Sequence, residues 1–230
     1  MKIIILCGGK GTRFAEETKV IPKPMIKIGG KPILNHIMNI YRKNGFKNFI
    51  LALGYKSKVI KKHFYGKKDI KMISTGKETL TGGRLLRLKK YFKPNESFML
   101  TYGDGVSNLN IKSLLKFHFN HKKIATITAV RPQLRFGELL IEGNKVKKFR
   151  EKPQSDTGWV NGGFFVFNYK IFDYIKNDYT VLEKEPLEKL AKKKELMAYK
   201  HYGFWQCMDT LRDKLQLNKL IKLKKAPWIK

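Results

Sequence analysis

Two kinds of hydrophobic pattern alternate along most of the chain. Short continuous apolar runs occupy residues 2–6, 48–53, 70–73, 98–102, 124–130 and 160–168, and each predicts a strand. Apolar residues at helical spacing predict helices over 32–41, 59–64, 85–92, 111–119, 187–194 and 211–223. Because continuous apolar strands are typical of sheets buried on both faces, the alternation indicates an α/β fold with a parallel or mixed sheet between helices.

The pattern changes after residue 131. Residues 136–141 and 145–150, joined by a turn at 142–144, predict a β-hairpin. Together with the strand at 160–168, the hairpin makes a small β-rich insertion at about 131–168. No linker, repeat or low-complexity segment interrupts the chain, and 230 residues are enough to bury a sizeable core. We therefore expect a single domain covering residues 1–230.

Composition excludes several classes of protein. The hydrophobic fraction of 42% argues against general disorder, and no apolar run approaches the roughly 18 residues of a membrane span. The first apolar stretch ends at Gly8, too early for a signal peptide, so a cytoplasmic location is expected. Two cysteines are too few for a disulfide framework. His118 and His121 have a spacing that zinc sites use, but no third ligand lies near them in the sequence.

The net charge of +31 allows two interpretations. It is compatible with a nucleic-acid or anionic-membrane partner. However, lysine greatly outnumbers arginine and is scattered rather than grouped, whereas base readout usually depends on arginine. We therefore favour a solvated basic surface, with no nucleic acid or membrane as partner. Such a surface would still attract a nucleoside triphosphate.

A glycine-rich loop follows the first predicted strand at residues 7–13, with the sequence Cys-Gly-Gly-Lys-Gly-Thr-Arg. Glycines allow the backbone to approach a polyphosphate closely, while Lys10 and Arg13 supply cations suited to phosphate oxygens. The loop matches neither the P-loop pattern nor the dinucleotide-binding pattern. The alternative is an ordinary strand-to-helix turn.

Three further residues are candidates for the chemistry. Lys23 is stiffened by a proline on each side and offers a fixed cation where charge develops on phosphorus. Asp104 lies between two glycines at the carboxyl end of a predicted strand, where open α/β sheets bind ligands. Asp209 is either a second carboxylate for the same Mg²⁺ ion or the N-cap of the last helix. A plain loop lysine and a structural turn are the alternatives for Lys23 and Asp104.

The ordered set of motifs resembles the sugar nucleotidyltransferases, most closely those that use CTP. The matching segments are 6–13, 14–18, 22–25, 28–34, 54–56, 81–85, 101–105, 135–137, 151–153, 161–165, 185–187, 203–212 and 226–228. The resemblance covers nearly the whole chain, and its specificity lies in the order of the set rather than in one motif. It implies a Rossmann-like, mixed and mostly parallel sheet.

The resemblance also implies a reaction. CTP and a sugar 1-phosphate would condense, with Mg²⁺ as cofactor, to give a CDP-sugar and pyrophosphate. Glucose 1-phosphate is the favoured sugar phosphate. UTP, dTTP or another phosphorylated acceptor are alternatives within the same chemistry. Because the attacking phosphate is already anionic, no general base is required, and positioning and charge neutralisation carry the catalysis.

Residue roles follow from the same resemblance. The nucleotide would be held by Gly8, Gly9, Gly11, Thr12, Arg13, Lys23, Thr79, Thr81, Arg84 and Gly103. The catalytic residues would be Arg13, Lys23 and Asp104, and Mg²⁺ would be held by Asp104 and Asp209. The sugar phosphate would contact Gly137, Glu151, Lys152 and Asn161.

One segment departs from the pattern, and two rival functions remain. The segment 65–80 is shorter than the corresponding segment of the cytidylyltransferases. In that family the segment lies close to the nucleotide pocket and to neighbouring subunits, so the shortening affects the expectation of a homo-oligomer. The first rival is a basic nucleic-acid-binding protein. The second is a catalytically silent relative that binds nucleotide without turnover, against which the presence of Arg13, Lys23 and both aspartates argues.

Overall fold

Seven strands form one large sheet in the computed structural model of the chain, which describes residues 1–132, 138–150 and 158–229. The strands are β1 (Lys2–Cys7), β2 (Lys27–Ile28), β3 (Lys31–Pro32), β4 (Asn48–Leu53), β5 (Ile70–Ser74), β6 (Ser97–Tyr102), β7 (Gly105–Ser107), β8 (Ala125–Val130), β9 (Glu138–Glu142), β10 (Lys145–Arg150), β11 (Val160–Asn168), β12 (Leu196–His201) and β13 (Trp205–Cys207). The order in the large sheet is β12-β8-β11-β6-β1-β4-β5. The remaining strands form two-stranded pairs, β9 with β10, β7 with β13 and β2 with β3.

The large sheet is mixed but mostly parallel. Strand β1 runs parallel to both neighbours, β4 and β6, and the outer pairs β4-β5 and β8-β12 are also parallel. Strand β11 runs antiparallel to β6 and to β8. Except for β11, the sheet strands therefore have their carboxyl ends at one edge, where ligands bind in open α/β sheets.

Helices cover both faces of the sheet. They are α1 (Ala15–Thr18), α2 (Ile33–Lys43), α3 (Ser57–His63), α4 (Thr81–Arg87), α5 (Ile111–His121), α6 (Glu185–Lys192) and α7 (Leu211–Lys222). Alternate residues of β1 face opposite layers: Ile3 and Ile5 pack with α2 and α5, whereas Ile4 and Leu6 pack with α4 and α6. This arrangement confirms the predicted α/β class with a Rossmann-like sheet between helices.

Strand β11 lies in a different place from that predicted. We assigned it to the β-rich insertion, but it pairs with β6 and β8 inside the large sheet, and residues 162–167 are buried. Its continuous apolar sequence fits a strand covered on both faces rather than an exposed hairpin. Of the insertion, only the hairpin β9–β10 is separate from the large sheet among the described residues.

The sequence pattern also missed strands. The edge strand β12 alternates partly buried and exposed residues, and β13 has only three residues, so neither produces a continuous apolar run. Strand β13 matters for the site because its pairing with β7 brings Cys207 opposite Gly105. Among the described residues, no helix combines the length and apolarity needed to cross a bilayer.

Candidate active site

A cavity of about 550 Å³ opens at the carboxyl ends of β1 and β6. The predicted residues that line it are Gly8, Gly9, Gly11, Thr12, Lys23, Thr79, Thr81, Arg84, Gly103, Asp104 and Asn161. The list includes residues assigned to the nucleotide and one assigned to the sugar phosphate. The fold therefore brings into one cavity residues that are up to about 150 positions apart in the sequence.

Lys23 joins two carboxylates at this cavity. Its ammonium group donates a hydrogen bond to Oδ2 of Asp104 at 2.7 Å and a second to Oδ1 of Asp209. Pro22 holds the preceding backbone extended, and one 3₁₀ turn then directs the lysine inward, where it is only 8% exposed. Asp104 follows β6 and Asp209 follows β13, so two separate strand ends supply the negative charges.

The charge balance of this cluster fixes the protonation of the lysine. Burial lowers the pKa of Lys23, but the carboxylate of Asp104 and the hydrogen bonds to both aspartates outweigh burial, so the pKa is raised overall. The ammonium form therefore persists at neutral pH. The ammonium group thus lies between the two aspartates.

The same carboxylates are suitable for a divalent cation. Ligand atoms of Asp104, Cys207 and Asp209 lie within 4.8 Å of one another. Two carboxylate oxygens match the preference of Mg²⁺ for hard oxygen ligands, whereas a thiol does not. Burial raises the pKa of Cys207, and the neighbouring Asp104 carboxylate adds to the effect, so the thiol stays protonated. Asp209 is not the N-cap of α7, because Thr210 caps that helix in a capping box with Asp213.

Arg84, which we predicted to bind the nucleotide, lines the cavity and forms hydrogen bonds with the neighbouring loops. It is 4% exposed and its guanidinium donates to carbonyl oxygens of Gly8 at 2.9 Å and Gly76 at 2.7 Å. It also donates to the Thr75 hydroxyl at 2.9 Å and to the Lys77 carbonyl at 3.2 Å. The guanidinium thus connects the glycine loop after β1 to the loop that precedes α4.

The guanidinium also explains why residue 8 is a glycine. A Cβ atom added at Gly8 would lie 2.1 Å from Nη1 of Arg84, and one at Gly54 would lie 2.5 Å from the same atom. Added at Gly9, it would meet nothing within 4 Å. The sequence suggested that Gly8 is small for the sake of a bound polyphosphate, but space for Arg84 is already a sufficient reason.

Two other predicted cations have different environments. Lys10 forms an exposed ion pair with Glu78 at 2.8 Å. The pair links the glycine loop to the loop before α4 on the outside of the site. For Arg13, the backbone belongs to the short 3₁₀ turn Thr12–Phe14, but its side chain lies outside the described part of the structure. Gly137, Glu151 and Lys152 also lie outside the described residues.

The structure adds residues to the predicted lining, among them the two hydrogen-bonded residues Tyr102 and Glu183. The Tyr102 hydroxyl donates to Oε1 of Glu183, and the Thr81 hydroxyl donates to Oε2 at 2.6 Å. Asn161 contacts this pair by donating from Nδ2 to the Tyr102 hydroxyl at 3.1 Å. Tyr102 directly precedes the Gly103-Asp104 turn, so its position in the sequence could have identified it as a site residue. Glu183 stands in a polar stretch before α6 with no distinguishing pattern.

The histidine pair is structural. His118 and His121 each contact the Thr126 hydroxyl, at 2.8 and 2.7 Å, between α5 and β8. Burial lowers the pKa of His118 to about 4. Among the described residues, the pair does not belong to a group of three or more potential metal ligands.

A model of the nucleotidyl transferase family matches residues 2–218, and the chain belongs to this family. Among its relatives is a glucose-1-phosphate cytidylyltransferase of Salmonella typhi, which is 48% identical over 99% of this chain and 98% of its own length. A probable glucose-1-phosphate cytidylyltransferase of Bacillus subtilis is 44% identical over 99% of both chains. The resemblance inferred from the ordered motifs is thereby confirmed.

Solved structures agree with the fold. HddC from Yersinia pseudotuberculosis, complexed with GMP-PN, superposes with a TM-score of 0.75 at 25% identity, covering 96% of this chain and 99% of HddC. A putative glucose-1-phosphate thymidylyltransferase from Bacillus anthracis, in complex with a sucrose, gives the same TM-score at 20% identity, covering 96% of this chain and 94% of its own. The alignment with the Salmonella typhi enzyme extends over 253 residues, more than the 230 of this chain, so at least one of its segments has no counterpart here.

Proposed function

We propose that this nucleotidyltransferase condenses CTP with glucose 1-phosphate to give CDP-glucose and pyrophosphate. The observation that carries the proposal is that Lys23 and Asp104 line one cavity with the glycine loop, and that Lys23 also donates a hydrogen bond to Asp209. The similarity to cytidylyltransferases of two bacteria supports the choice of base and acceptor. It does not favour the rival of a nucleic-acid-binding protein, and the +31 charge has no assigned role.

The reaction uses charges that the site already supplies. A phosphate oxygen of the sugar phosphate attacks the α-phosphorus of CTP, a new P–O bond forms, and the bond to the β-phosphate oxygen breaks as pyrophosphate leaves. Lys23 is positioned to stabilise the negative charge that develops on the α-phosphoryl oxygens. The backbone of the glycine loop, with Thr12 and Arg13, is proposed to hold the triphosphate.

Asp104 and Asp209 are proposed to hold Mg²⁺, which would neutralise phosphate charge and help to orient the triphosphate. When the triphosphate binds, Lys23 can exchange its contacts with the carboxylates for contacts with phosphate oxygens. In the exchange, the negative charge of the phosphate oxygens would replace that of the carboxylates, which favours the ammonium form. We also propose that Thr79 and Thr81 face the base and ribose, and that Asn161 binds the acceptor together with Gly137, Glu151 and Lys152.

A substrate panel tests the proposal. The protein is incubated with Mg²⁺, one of CTP, UTP, dTTP, GTP or ATP, and one of several sugar 1-phosphates, and pyrophosphate release is measured. Mass spectrometry then identifies the nucleotide sugar. We expect the highest kcat/KM for CTP with glucose 1-phosphate. A higher value for another pair would reassign the substrates, and no turnover with any pair would support the silent-relative rival.

A further inference from the structure

A series of hydrogen bonds connects the nucleotide side of the cavity to the acceptor side. Thr81, at the start of α4, donates to Oε2 of Glu183, and Tyr102, at the end of β6, donates to Oε1. Asn161 in β11 donates to the Tyr102 hydroxyl. All four residues line the cavity, and they come from four separate parts of the chain. Glu183 is the residue at which the two sides meet.

Backbone groups fix the direction of the series at both ends. The N–H of Gly163 donates to Oδ1 of Asn161 at 2.8 Å, and the N–H of Leu182 donates to the Thr81 hydroxyl at 2.9 Å. A backbone N–H can only donate, so the amide oxygen of Asn161 must face Gly163 and its nitrogen must face Tyr102. The Thr81 oxygen accepts from Leu182, which leaves its own proton for the carboxylate.

Only an ionised carboxylate satisfies both arms. Tyr102 accepts from Asn161 and Thr81 accepts from the backbone, so each hydroxyl needs an acceptor for its proton, and Glu183 provides one oxygen to each. The Tyr102 hydroxyl accepts from Nδ2 of Asn161 and donates its own proton to Oε1 of Glu183. A glutamine would present N–H groups to one of these hydroxyls and would reverse that arm.

The packing around Tyr102 also restricts the geometry. Gly163 has a φ of +75°, and a Cβ atom added there would lie 2.5 Å from Cδ2 of Tyr102. The tyrosine ring therefore packs directly on the backbone that holds the Asn161 amide oxygen. The position of Tyr102 and the orientation of the Asn161 amide are fixed by the same turn of β11.

We propose that Glu183 is a positioning residue, which acts through Tyr102 to hold the Asn161 amide so that its second N–H is available to an oxygen of the phosphorylated acceptor. The second oxygen of Glu183 anchors Thr81 and ties the nucleotide side to the same carboxylate. The assignment of the acceptor rests on the proposed function. The hydrogen-bond polarity of the series does not depend on which substrates bind.

The first experiment measures that polarity without turnover. Protein labelled with ¹⁵N-asparagine is compared by NMR with an Asn161→Ala variant, which identifies the Asn161 side-chain amide signals. We expect Glu183→Gln to shift these signals, because the acceptor beyond Tyr102 changes. The control is Glu185→Gln, two residues along, where the carboxylate pairs with Lys176 and Lys189 on the surface. Equal shifts in both variants, or no shift in Glu183→Gln, would overturn the proposal.

The second experiment separates positioning from direct contact. Steady-state kinetics with CTP and glucose 1-phosphate are measured for Tyr102→Phe, Glu183→Gln and the double variant, with the midpoint of thermal unfolding as the stability readout. Tyr102→Phe should raise the acceptor KM by about tenfold and the CTP KM by less than about threefold. Adding Glu183→Gln to Tyr102→Phe should then raise the acceptor KM no further.

The outcomes are distinct. Multiplying effects on the acceptor KM would mean that Glu183 contacts the acceptor itself, which overturns the positioning role. Lowered unfolding midpoints with unchanged KM values would mean a purely structural role and would also overturn it. A wild-type protein inactive with CTP and glucose 1-phosphate would contradict the proposed function, while the NMR experiment would still decide this inference.

Discussion

Two basic side chains, Lys23 and Arg84, are buried beside the same cavity, but their partners differ in kind. Lys23 donates to two carboxylates, whereas the hydrogen bonds of Arg84 end on carbonyl and hydroxyl oxygens. Neighbouring carboxylates raise the pKa of Lys23, while burial lowers that of Arg84. The surroundings therefore favour the charged form of Lys23, whereas burial disfavours that of Arg84, which is compensated by neutral hydrogen-bond acceptors only.

The difference indicates two functions. The partners of Lys23 are charges that a metal ion can take over, so the lysine is free to move to a phosphate. The partners of Arg84 are mainly backbone carbonyl oxygens of two loops, together with the Thr75 hydroxyl, and its planar fork of donors suits several acceptors at once. Lys23 is thus suited to act in the reaction, and Arg84 to hold the loops in place.

The largest effect is expected when the metal site loses charge. Asp104→Asn should lower kcat/KM by about 10³-fold or more, because the amide contributes no negative charge to hold Mg²⁺. Pyrophosphate release measures the rate, and circular dichroism checks the fold. The control is Asp69→Asn, whose carboxylate pairs with Arg42 just before β5, at the opposite edge of the sheet. Near-normal turnover in Asp104→Asn would contradict the metal assignment.

Removing the exchangeable cation should have the next largest effect. Lys23→Met keeps the length of the side chain but removes its charge, and we expect kcat/KM to fall by about 10²- to 10³-fold. Without the competing ammonium, Mg²⁺ alone should raise the unfolding midpoint of this variant more than that of the wild type. An equal response to Mg²⁺ in both proteins would show that Lys23 and the metal do not share the carboxylates.

Replacing the loop-holding cation should mainly lower stability. Arg84→Met leaves buried carbonyl oxygens without donors, and we expect the free energy of unfolding to fall by about 2–4 kcal/mol, measured by denaturant titration. Arg84→Lys keeps the charge with fewer donors and should lose less. If Arg84 serves to hold the loops in place, the CTP KM should rise in both variants because the glycine loop becomes less ordered. The value of kcat should then change less than in Lys23→Met.

A third basic group, buried in its neutral form, extends the comparison. The pKa of His118 is about 4 in the folded protein, against about 6.5 for a histidine in an unfolded chain, so the unfolded chain binds more protons between these values. The contribution of His118 to the free energy of unfolding should therefore be fully present above pH 6.5. It should decrease as the pH falls towards 4, by roughly 3 kcal/mol at most. His118→Gln should flatten this dependence in pH-dependent unfolding without changing the CTP KM. An unchanged slope would contradict the assignment.

Much of the architecture could be predicted from the sequence because it depends on local patterns. Continuous apolar runs predicted β1, β4, β6 and β8, and the helical spacing predicted α2, α5 and α7. The pattern did not predict β12, in which exposed residues interrupt the partly buried ones, so that no continuous apolar run forms. It also did not predict β13, which has only three residues. It also could not show that β11 lies inside the large sheet, because pairing partners are not encoded in local periodicity.

The sequence by itself determined the family, the glycine loop and the candidates Lys23, Asp104 and Asp209, since each stands in a recognisable local setting. Only the tertiary structure decided which groups these and other residues contact. It assigned the N-cap of α7 to Thr210 rather than Asp209, gave Arg84 backbone partners, and brought Glu183 against Tyr102. These outcomes depend on contacts between residues far apart in the chain, where the geometry of the assembled sheet, rather than residue type or spacing, sets which groups meet.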